Sequence, residues 1–327
     1  MKKKHTMEYF EANGVRQYLL HNKSGDPSAP VLLVVHGGPG APDSNVAHKF
    51  REWWKGLFHI VSWDQRGAGK TLAANGEPPE YPITVQDILA DMREILAHLK
   101  EMYSVEKVYL LGLSWGTLLC SLYSLEHPED VAALISAGQV TSFYRSEQAA
   151  YGIVKEAVVA GGNKKDLELL ESIAPYPEQP FSYGSDAVEI KMPKFKRLQS
   201  KYGYAMKLTF ELIFAFLLGP ASKLSEVSYY SKKSADKRKA YNEELLKYLF
   251  DFEIDELGYE YSVPVCYITG DKDYTTTSSL AVEYFDKIVA PKKLHCPIAG
   301  AGHNAMFDQP ELFARALTDV RALAETP

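Results

Sequence analysis

The chain has little cysteine, and its cysteines follow no metal-binding or disulfide pattern. Its 327 residues include three cysteines, Cys120, Cys266 and Cys296, which lie in or beside apolar runs and form no C-x-x-C pair. Buried thiols in a reducing compartment are the expected state of such residues, so we predict no disulfide. The H-E-x-x-H motif is also absent. We therefore predict neither a metal site nor a cofactor.

Long apolar runs and an excess of positive charge are absent as well. The longest apolar stretch, Leu212–Leu218, is far shorter than the ~20 residues that span a bilayer, so we predict no membrane association. The N-terminal segment Met1–Phe10 is basic, but Glu8 and Glu11 stand where a signal peptide needs its apolar core, which predicts a cytoplasmic protein. A net charge of −6 argues against a nucleic-acid partner. The basic run Lys232–Lys239 is interspersed with Ser, Ala and Asp and predicts a solvated helix face.

As far as about residue 137, short apolar runs alternate with longer amphipathic ones, which is typical of strands alternating with helices. The segment Thr84–Tyr103 carries apolar residues on one helical face and begins with a capping pair, Thr84 and Asp87. We therefore predict an α/β fold with a mostly parallel central sheet and helices on both faces. The predicted strands in this part are Val31–Val35, Phe58–Trp63 and Val108–Leu111.

The alternation stops near Val140 and resumes at Val263. The intervening segment is rich in Tyr and Phe, is broken by Pro and Gly, and has helical periodicity. An insertion at the carboxyl edge of a parallel sheet lies where ligands bind. We predict a core domain of residues 1–140 and 258–327 and a mainly helical cap of residues 141–257. In the last part we predict strands at Val265–Thr269 and Lys293–Pro297 and helices at Ser278–Ile288 and Gln309–Ala324.

The motif G-L-S-W-G at residues 112–116 directly follows a predicted strand and precedes the helical run Thr117–Leu125. A G-x-S-x-G nucleophile elbow requires this order of strand, sharp turn and helix, and its glycines relieve crowding around the strained serine. The hydroxyl of Ser114 is thereby presented at the helix N-terminus. We predict that Ser114 is a catalytic nucleophile.

A serine nucleophile needs a general base, and the base needs a carboxylate to orient it. In this fold the three follow the order Ser, acid, His. His303 stands in a Gly-rich loop after the last predicted strand, and we predict that it is the base. Asp271 and Asp273 follow the preceding strand. We predict Asp273 as the acid, because the later loop position reaches toward the His loop, and Asp271 as the alternative that caps the turn.

Acyl transfer also requires two backbone N–H donors for the oxyanion. Trp115 supplies one, because it follows the nucleophile. The second is expected from the loop after Val31–Val35, where H-G-G-P-G offers a backbone unhindered by side chains. Gly38 is the predicted donor; Gly37 is the alternative and a candidate substrate contact. His36 is predicted to anchor the loop.

Three motifs, H-G-G-P-G at 36–40, D-Q-R-G-A-G at 64–69 and G-L-S-W-G-T at 112–117, together resemble the proline iminopeptidase branch of the α/β-hydrolases. The resemblance covers roughly residues 14–140 and 263–325. It implies an α/β-hydrolase fold and a serine hydrolase that acts on peptides, with Asp64 and Arg66 holding the neighbouring loops. It also implies the site predicted above: a triad of Ser114, Asp273 and His303 and an oxyanion hole of Gly38 and Trp115.

The cap is expected to decide between peptide and ester substrates. In the family, acidic cap residues hold the α-ammonium of the substrate, but the Trp-Glu pairing of that cap is missing here. Glu211 and Glu226 are the nearest candidates, and Glu211 either faces a ligand or forms the solvated edge of a helix. Phe214 is a candidate apolar contact. We predict an aminopeptidase acting on a small-molecule or short-peptide substrate; the alternative is a carboxylesterase or lactonase for a bulky, partly apolar substrate. The oligomeric state stays open.

Overall fold

The computed structural model describes residues 5–54, 56–76, 82–206 and 241–326. Its strands form one eight-stranded sheet. They are β1 Thr6–Ala12, β2 Val15–Asn22, β3 Val31–Val35, β4 His59–Asp64, β5 Val108–Leu113, β6 Val131–Ala137, β7 Val265–Gly270 and β8 Lys293–Ile298. The order across the sheet is β1-β2-β4-β3-β5-β6-β7-β8. The pairs β1/β2 and β2/β4 are antiparallel, and every later pair is parallel, so the predicted fold class is confirmed.

Helices cover both faces of this sheet. Those of the described residues are α1 Ala47–Trp53, α2 Gly69–Asn75, α3 Val85–Tyr103, α4 Trp115–Glu126, α5 Phe143–Gly161, α6 Lys164–Ser172, α7 Met192–Lys201, α8 Glu243–Asp251, α9 Ser278–Lys287, α10 Ala305–Asp308 and α11 Pro310–Glu325. Within the same residues, none of the helices combines the length and the apolar character needed to cross a membrane.

Strand β3 shows why the core is detectable in the sequence. All of its residues are buried, because parallel strands between two helical layers bury both faces. Leu33 belongs to the apolar cluster under α3, whereas Leu32 and Val34 belong to the cluster under α1 and α11. Such a strand appears as an unbroken apolar run. The observed bounds of β3 are those predicted, and β5 extends two residues beyond the prediction.

Helix α3 begins where its capping residues predict. Thr84 is the N-cap, and its hydroxyl oxygen accepts a hydrogen bond from the Asp87 backbone N–H at 3.2 Å. Asp87 Oδ2 in turn accepts from the Thr84 backbone N–H at 2.9 Å. This capping box satisfies backbone donors that have no partner within the helix. Ile88, Met92 and Ile95 then face the sheet.

The described part of residues 141–257 is mainly helical. It contains α5 to α8, and it has an apolar cluster of its own that includes Val154, Phe195 and Phe250. Two hydrogen bonds connect it to the loop after β7: Thr277 Oγ1 donates to the Ser146 carbonyl at 3.3 Å, and Gln199 Nε2 donates to the Tyr274 carbonyl at 3.0 Å. The helices therefore lie over the carboxyl edge of the sheet; the division into core and cap domains stays a prediction.

A buried ion pair fixes the loop after β4. Arg66 donates through Nε and Nη2 to the two carboxylate oxygens of Asp91, at 2.8 and 2.6 Å. Gln17 and Asn13 donate to the same carboxylate at 2.6 and 3.1 Å. Asp91 is fully buried, and Arg66 is 7% exposed. This network joins the loop to the β1–β2 hairpin and to α3, in keeping with the structural role that the family resemblance implies for Arg66.

We expect Arg66→Ala to lower the free energy of unfolding by about 3–5 kcal/mol, because it leaves the Asp91 carboxylate buried without its cation. The matched control is Arg145→Ala, which removes a half-exposed arginine from its ion pairs with Asp255 and Glu283 and should cost less than about 1 kcal/mol. Urea unfolding measures both changes. Equal losses in the two variants would contradict the stabilising role of the buried pair.

Candidate active site

The predicted nucleophile stands on a sharp turn between a strand and a helix. Strand β5 ends at Leu113, α4 begins at Trp115, and Ser114 between them has φ 51° and ψ −119°. The Ser114 backbone N–H donates to the Ala137 carbonyl at the end of β6, at 3.0 Å. A non-glycine residue at positive φ is strained and persists only where its surroundings hold it. The elbow that the motif predicts is therefore present in the backbone.

The glycines of this motif lie where no side chain fits. A Cβ on Gly116 would come within 2.0 Å of the Val35 carbonyl oxygen, and one on Gly112 within 2.6 Å of the Gly116 carbonyl oxygen. The helix can start directly against β3 only because these atoms are missing. Close packing of the turn thus accounts for the G-x-S-x-G spacing.

The predicted acid and base lie against each other at the same edge of the sheet. His303 Nδ1 is 2.9 Å from Asp273 Oδ2. Asp273 Oδ1 accepts from the backbone N–H groups of Thr275 and Thr276, at 2.8 and 3.0 Å, so its orientation is fixed by its own loop. Asp271 instead points away: its Oδ1 accepts from the Gly300 N–H at 2.8 Å, and the residue is exposed. Asp273 is therefore the carboxylate in position to orient His303.

Electrostatics of this pair favour a charged imidazole. Burial opposes charge on His303, but the Asp273 carboxylate and its hydrogen bond outweigh this effect and raise the pKa of His303 above its usual value. Burial likewise opposes charge on Asp273, yet His303 and the hydrogen bonds from the Thr275 and Thr276 loop lower its pKa. A carboxylate that remains ionised beside the imidazole suits a base that must accept a proton during reaction.

Two further residues shape the surroundings of His303, and sequence reasoning missed both. Thr276 Oγ1 donates to Asp273 Oδ2 at 2.9 Å and lies 3.2 Å from His303 Nδ1. Gly138 follows β6 with φ +67°, and a Cβ there would lie 3.0 Å from His303 Cε1. Neither residue belongs to a recognisable motif. Their positions depend on how the strand ends meet, which no local pattern reveals.

The H-G-G-P-G loop lies directly against the elbow. A Cβ on Gly37 would be 3.3 Å from Ser114 Cβ and 3.2 Å from the Leu113 carbonyl oxygen, so a larger residue there would crowd the elbow. Gly38 has φ +118°. Trp115 occupies the first position of α4, where backbone N–H groups lack helical partners. The H-G-G-P-G loop and the start of α4 therefore place backbone atoms beside Ser114. The roles of Gly38 and Trp115 as hydrogen-bond donors to the oxyanion stay predictions.

A hydrogen-bonded chain connects the three sequence motifs. His36 Nε2 accepts from the Gln65 backbone N–H at 3.1 Å, so its Nδ1 donates to the Gly37 carbonyl at 2.8 Å. The Gln65 side chain donates to the His36 carbonyl at 2.9 Å and accepts from Trp115 Nε1 at 3.1 Å. Burial lowers the pKa of His36 to about 4, which keeps it neutral in this arrangement. His36 anchors the loop, as predicted.

The predicted cap contacts Glu211 and Phe214 lie outside the described residues, as does Glu226. Sequence reasoning also overlooked Glu147 on α5, whose side chain is 2% exposed. Glu147 accepts from the Tyr176 hydroxyl at 2.6 Å and is paired with Lys196. In the part of the chain that the structure covers, no group of three or more His, Cys, Asp or Glu side chains is arranged to hold a metal ion.

Part of the chain matches a known protein family, and curated proteins are similar to it in sequence. Residues 30–156 match the family described as the alpha/beta hydrolase fold. A probable aminopeptidase of Bacillus subtilis, YbaC, is 22% identical over 314 residues, which cover 95% of this chain and 95% of that protein. The proline iminopeptidase of Neisseria meningitidis is 31% identical over 130 residues, 40% of this chain and 39% of that protein.

Solved structures share the same fold at lower identity. The proline iminopeptidase of Mycobacterium smegmatis has a TM-score of 0.67 and 18% identity, over 98% of this chain and 100% of that one. The carboxylesterase CesB of Bacillus subtilis has a TM-score of 0.60 and 16% identity, over 98% of this chain and 92% of that one. At these identities the likeness establishes the fold, which peptidases and esterases have in common.

Proposed function

Since this chain belongs to the α/β-hydrolase superfamily and resembles its proline iminopeptidase-like branch, we propose that it is a serine hydrolase that cleaves an amide or ester bond through an acyl-enzyme intermediate. The leading activity is that of an aminopeptidase of the proline iminopeptidase type. The observation that carries this proposal is the 2.9 Å contact between His303 Nδ1 and Asp273 Oδ2. Because β5, β7 and β8 run parallel, the two loops that hold this pair and the Ser114 elbow lie at one edge of the sheet.

The proposed reaction proceeds in two halves. Ser114 Oγ attacks the substrate carbonyl carbon while His303 accepts the hydroxyl proton, and Asp273 stabilises the resulting imidazolium. His303 then gives this proton to the leaving nitrogen or oxygen as its bond to carbon breaks. Water repeats the sequence on the acyl-enzyme and releases the acid. Gly38 and Trp115 are the proposed donors to the oxyanion, and one such donor is typically worth about 10²–10³ in kcat.

One observation favours the second candidate, a carboxylesterase or lactonase. The cap has two buried carboxylates among its described residues, Glu147 and Asp166, and both are engaged within the cap. Glu147 is paired with Lys196, and Asp166 with Lys201. A carboxylate already neutralised by a lysine attracts a substrate ammonium poorly. The proposed partner in either case is a small-molecule or short-peptide substrate, and neither reaction requires a cofactor.

Matched free-amine and N-acetyl substrates decide between the two activities. For an aminopeptidase we expect N-acetylation to lower kcat/KM at least about tenfold, because a charge-assisted contact to the ammonium is lost. The substrates are proline p-nitroanilide, its N-acetyl form, and p-nitrophenyl esters of several chain lengths. Ser114→Ala protein purified in parallel gives the background from host peptidases. Equal rates with and without the acetyl group would reject the aminopeptidase in favour of the esterase.

A further inference from the structure

A cavity of about 220 Å³ opens directly beside His303. Its walls come from the segment that follows α7, from the loop that follows β7, from the loop that holds His303 and from the end of α10. Tyr204, Tyr274, Lys272 and Asp308 contribute side chains to it, and Gly300 and Gly302 leave part of the wall as bare backbone. The cavity is therefore a space shaped by the cap on one side and by the acid and base loops on the other.

We infer that this cavity is the leaving-group subsite and that it selects a small, uncharged aromatic leaving group; the inference rests on the proposed function and applies to its ester-cleaving form. His303 must protonate the leaving atom, so the leaving group has to extend from the edge of the imidazole. The cavity shares His303 with the proposed reaction. Its described lining includes no residue of the H-G-G-P-G loop, where the carbonyl oxygen would be held.

Two tyrosines from different elements give this cavity its aromatic character. The rings of Tyr204 and Tyr274 pack edge to face, with centroids 5.0 Å apart and planes at 78°. Both residues are only partly buried, so ring surface remains available to a ligand. A further flat ring can stack or pack edge-on against such a pair, and aromatic contacts of this kind add to simple apolar burial.

Size and charge narrow the class of leaving group further. The volume lies below the range of about 300–1,000 Å³ that is typical of sites for drug-sized ligands, so one ring fits and a long peptide does not. Lys272 and Asp308 place one charge of each sign on the lining. Asp308 also accepts a hydrogen bond from the Gly302 N–H at 2.8 Å, which holds it in place. Opposite charges on one wall give no net attraction for an ion.

The test uses esters of one acyl group with benzyl, cyclohexylmethyl and ethyl alcohols, because the first two leaving groups are similar in size and differ in aromaticity. We expect wild-type kcat/KM to favour benzyl over cyclohexylmethyl. Tyr204→Leu should reduce this preference about threefold to tenfold, and Tyr204→Phe should retain it. Tyr274→Leu tests the second ring. Tyr144→Leu is the control, because Tyr144 packs on Phe181 in the cap and does not line the cavity.

Kinetics distinguish a leaving-group site from an acyl site. The leaving group departs before the acyl-enzyme is hydrolysed, so Tyr204→Leu should change kcat/KM and leave the deacylation rate unchanged. A deacylation rate that shifts equally for all three esters would assign the cavity to the acyl group and overturn the inference. Fluorophosphonate labelling distinguishes failure of this inference from failure of the proposed function. If Ser114 is labelled normally and Tyr204→Leu keeps the benzyl preference, the leaving-group site alone is rejected. If Ser114 is not labelled, the proposed function is rejected together with it.

Discussion

Replacement of Ser114 by alanine is expected to abolish turnover while leaving the fold intact. The change removes one oxygen atom and no backbone contact, and the elbow conformation is held by its neighbours. Loss of a serine nucleophile of this kind typically lowers kcat about 10⁶-fold, since the rest of the triad cannot act without it. Hydrolysis of a p-nitrophenyl ester measures the loss, and a fluorophosphonate probe reports whether the nucleophile is present.

Ser136→Ala provides the matched control for this experiment. Ser136 pairs with Gly112 across β5 and β6, is buried, and has no hydrogen-bond partner for its hydroxyl among the described residues. Its replacement should leave both labelling and turnover near the wild-type values. If the Ser114→Ala protein were labelled at the wild-type rate, the nucleophile would have to be sought elsewhere.

Replacement of Asp273 by asparagine is expected to lower kcat about 10⁴-fold, whereas the same change at Asp271 should have little effect. Asparagine at 273 keeps the shape of the side chain but removes the charge that stabilises the His303 imidazolium and fixes its tautomer. Asp271 only accepts a hydrogen bond from the Gly300 N–H, which an amide oxygen can also do. A larger loss in Asp271→Asn than in Asp273→Asn would exchange the two assignments.

The pH profile gives this comparison a second readout. His303 must be neutral to act as a base, so kcat/KM falls as the pH drops through its pKa. Burial alone would lower this pKa, but the Asp273 carboxylate raises it above the usual value. Removing the carboxylate lowers the pKa, and the acid limb of the profile should move to lower pH in Asp273→Asn. In Asp271→Asn the acid limb of the profile should stay at its wild-type pH.

Strand β3 could be predicted because it is buried on both faces. The run Val31–Val35 has no polar residue, and a two-sided buried strand needs none. The sequence does not predict the edge strand Thr6–Ala12, because most of its side chains are exposed or half-exposed and its pattern is weak. Local signals thus identify β3, β4, β5, β7 and the edge strand β8, but they miss the edge strand β1 and also the largely buried strands β2 and β6.

The candidate site also combines residues that local sequence patterns predict with residues that they do not. The elbow and the order of Ser114, Asp273 and His303 follow from motifs placed after strands, which are local features. The choice between Asp273 and Asp271 depends on which loop carboxylate meets the imidazole, and only the folded structure separates them. Glu147 is not predicted for a related reason. Its partner Lys196 lies on another helix, so the ion pair cannot be recognised in the sequence of either helix.

The pairing of β6 with β7 affects how the chain behaves during synthesis. These strands lie side by side, with Leu134 opposite Val265, although the whole of residues 141–257 separates them in sequence. The ribosome synthesises Ser114 long before it adds Asp273 and His303 to the chain. In the proposed mechanism, a nascent chain that ends within residues 141–257 carries the Ser114 hydroxyl without the proposed proton acceptor, His303. The proposed site is complete only when β7 and β8, in the last part of the chain, have joined the sheet.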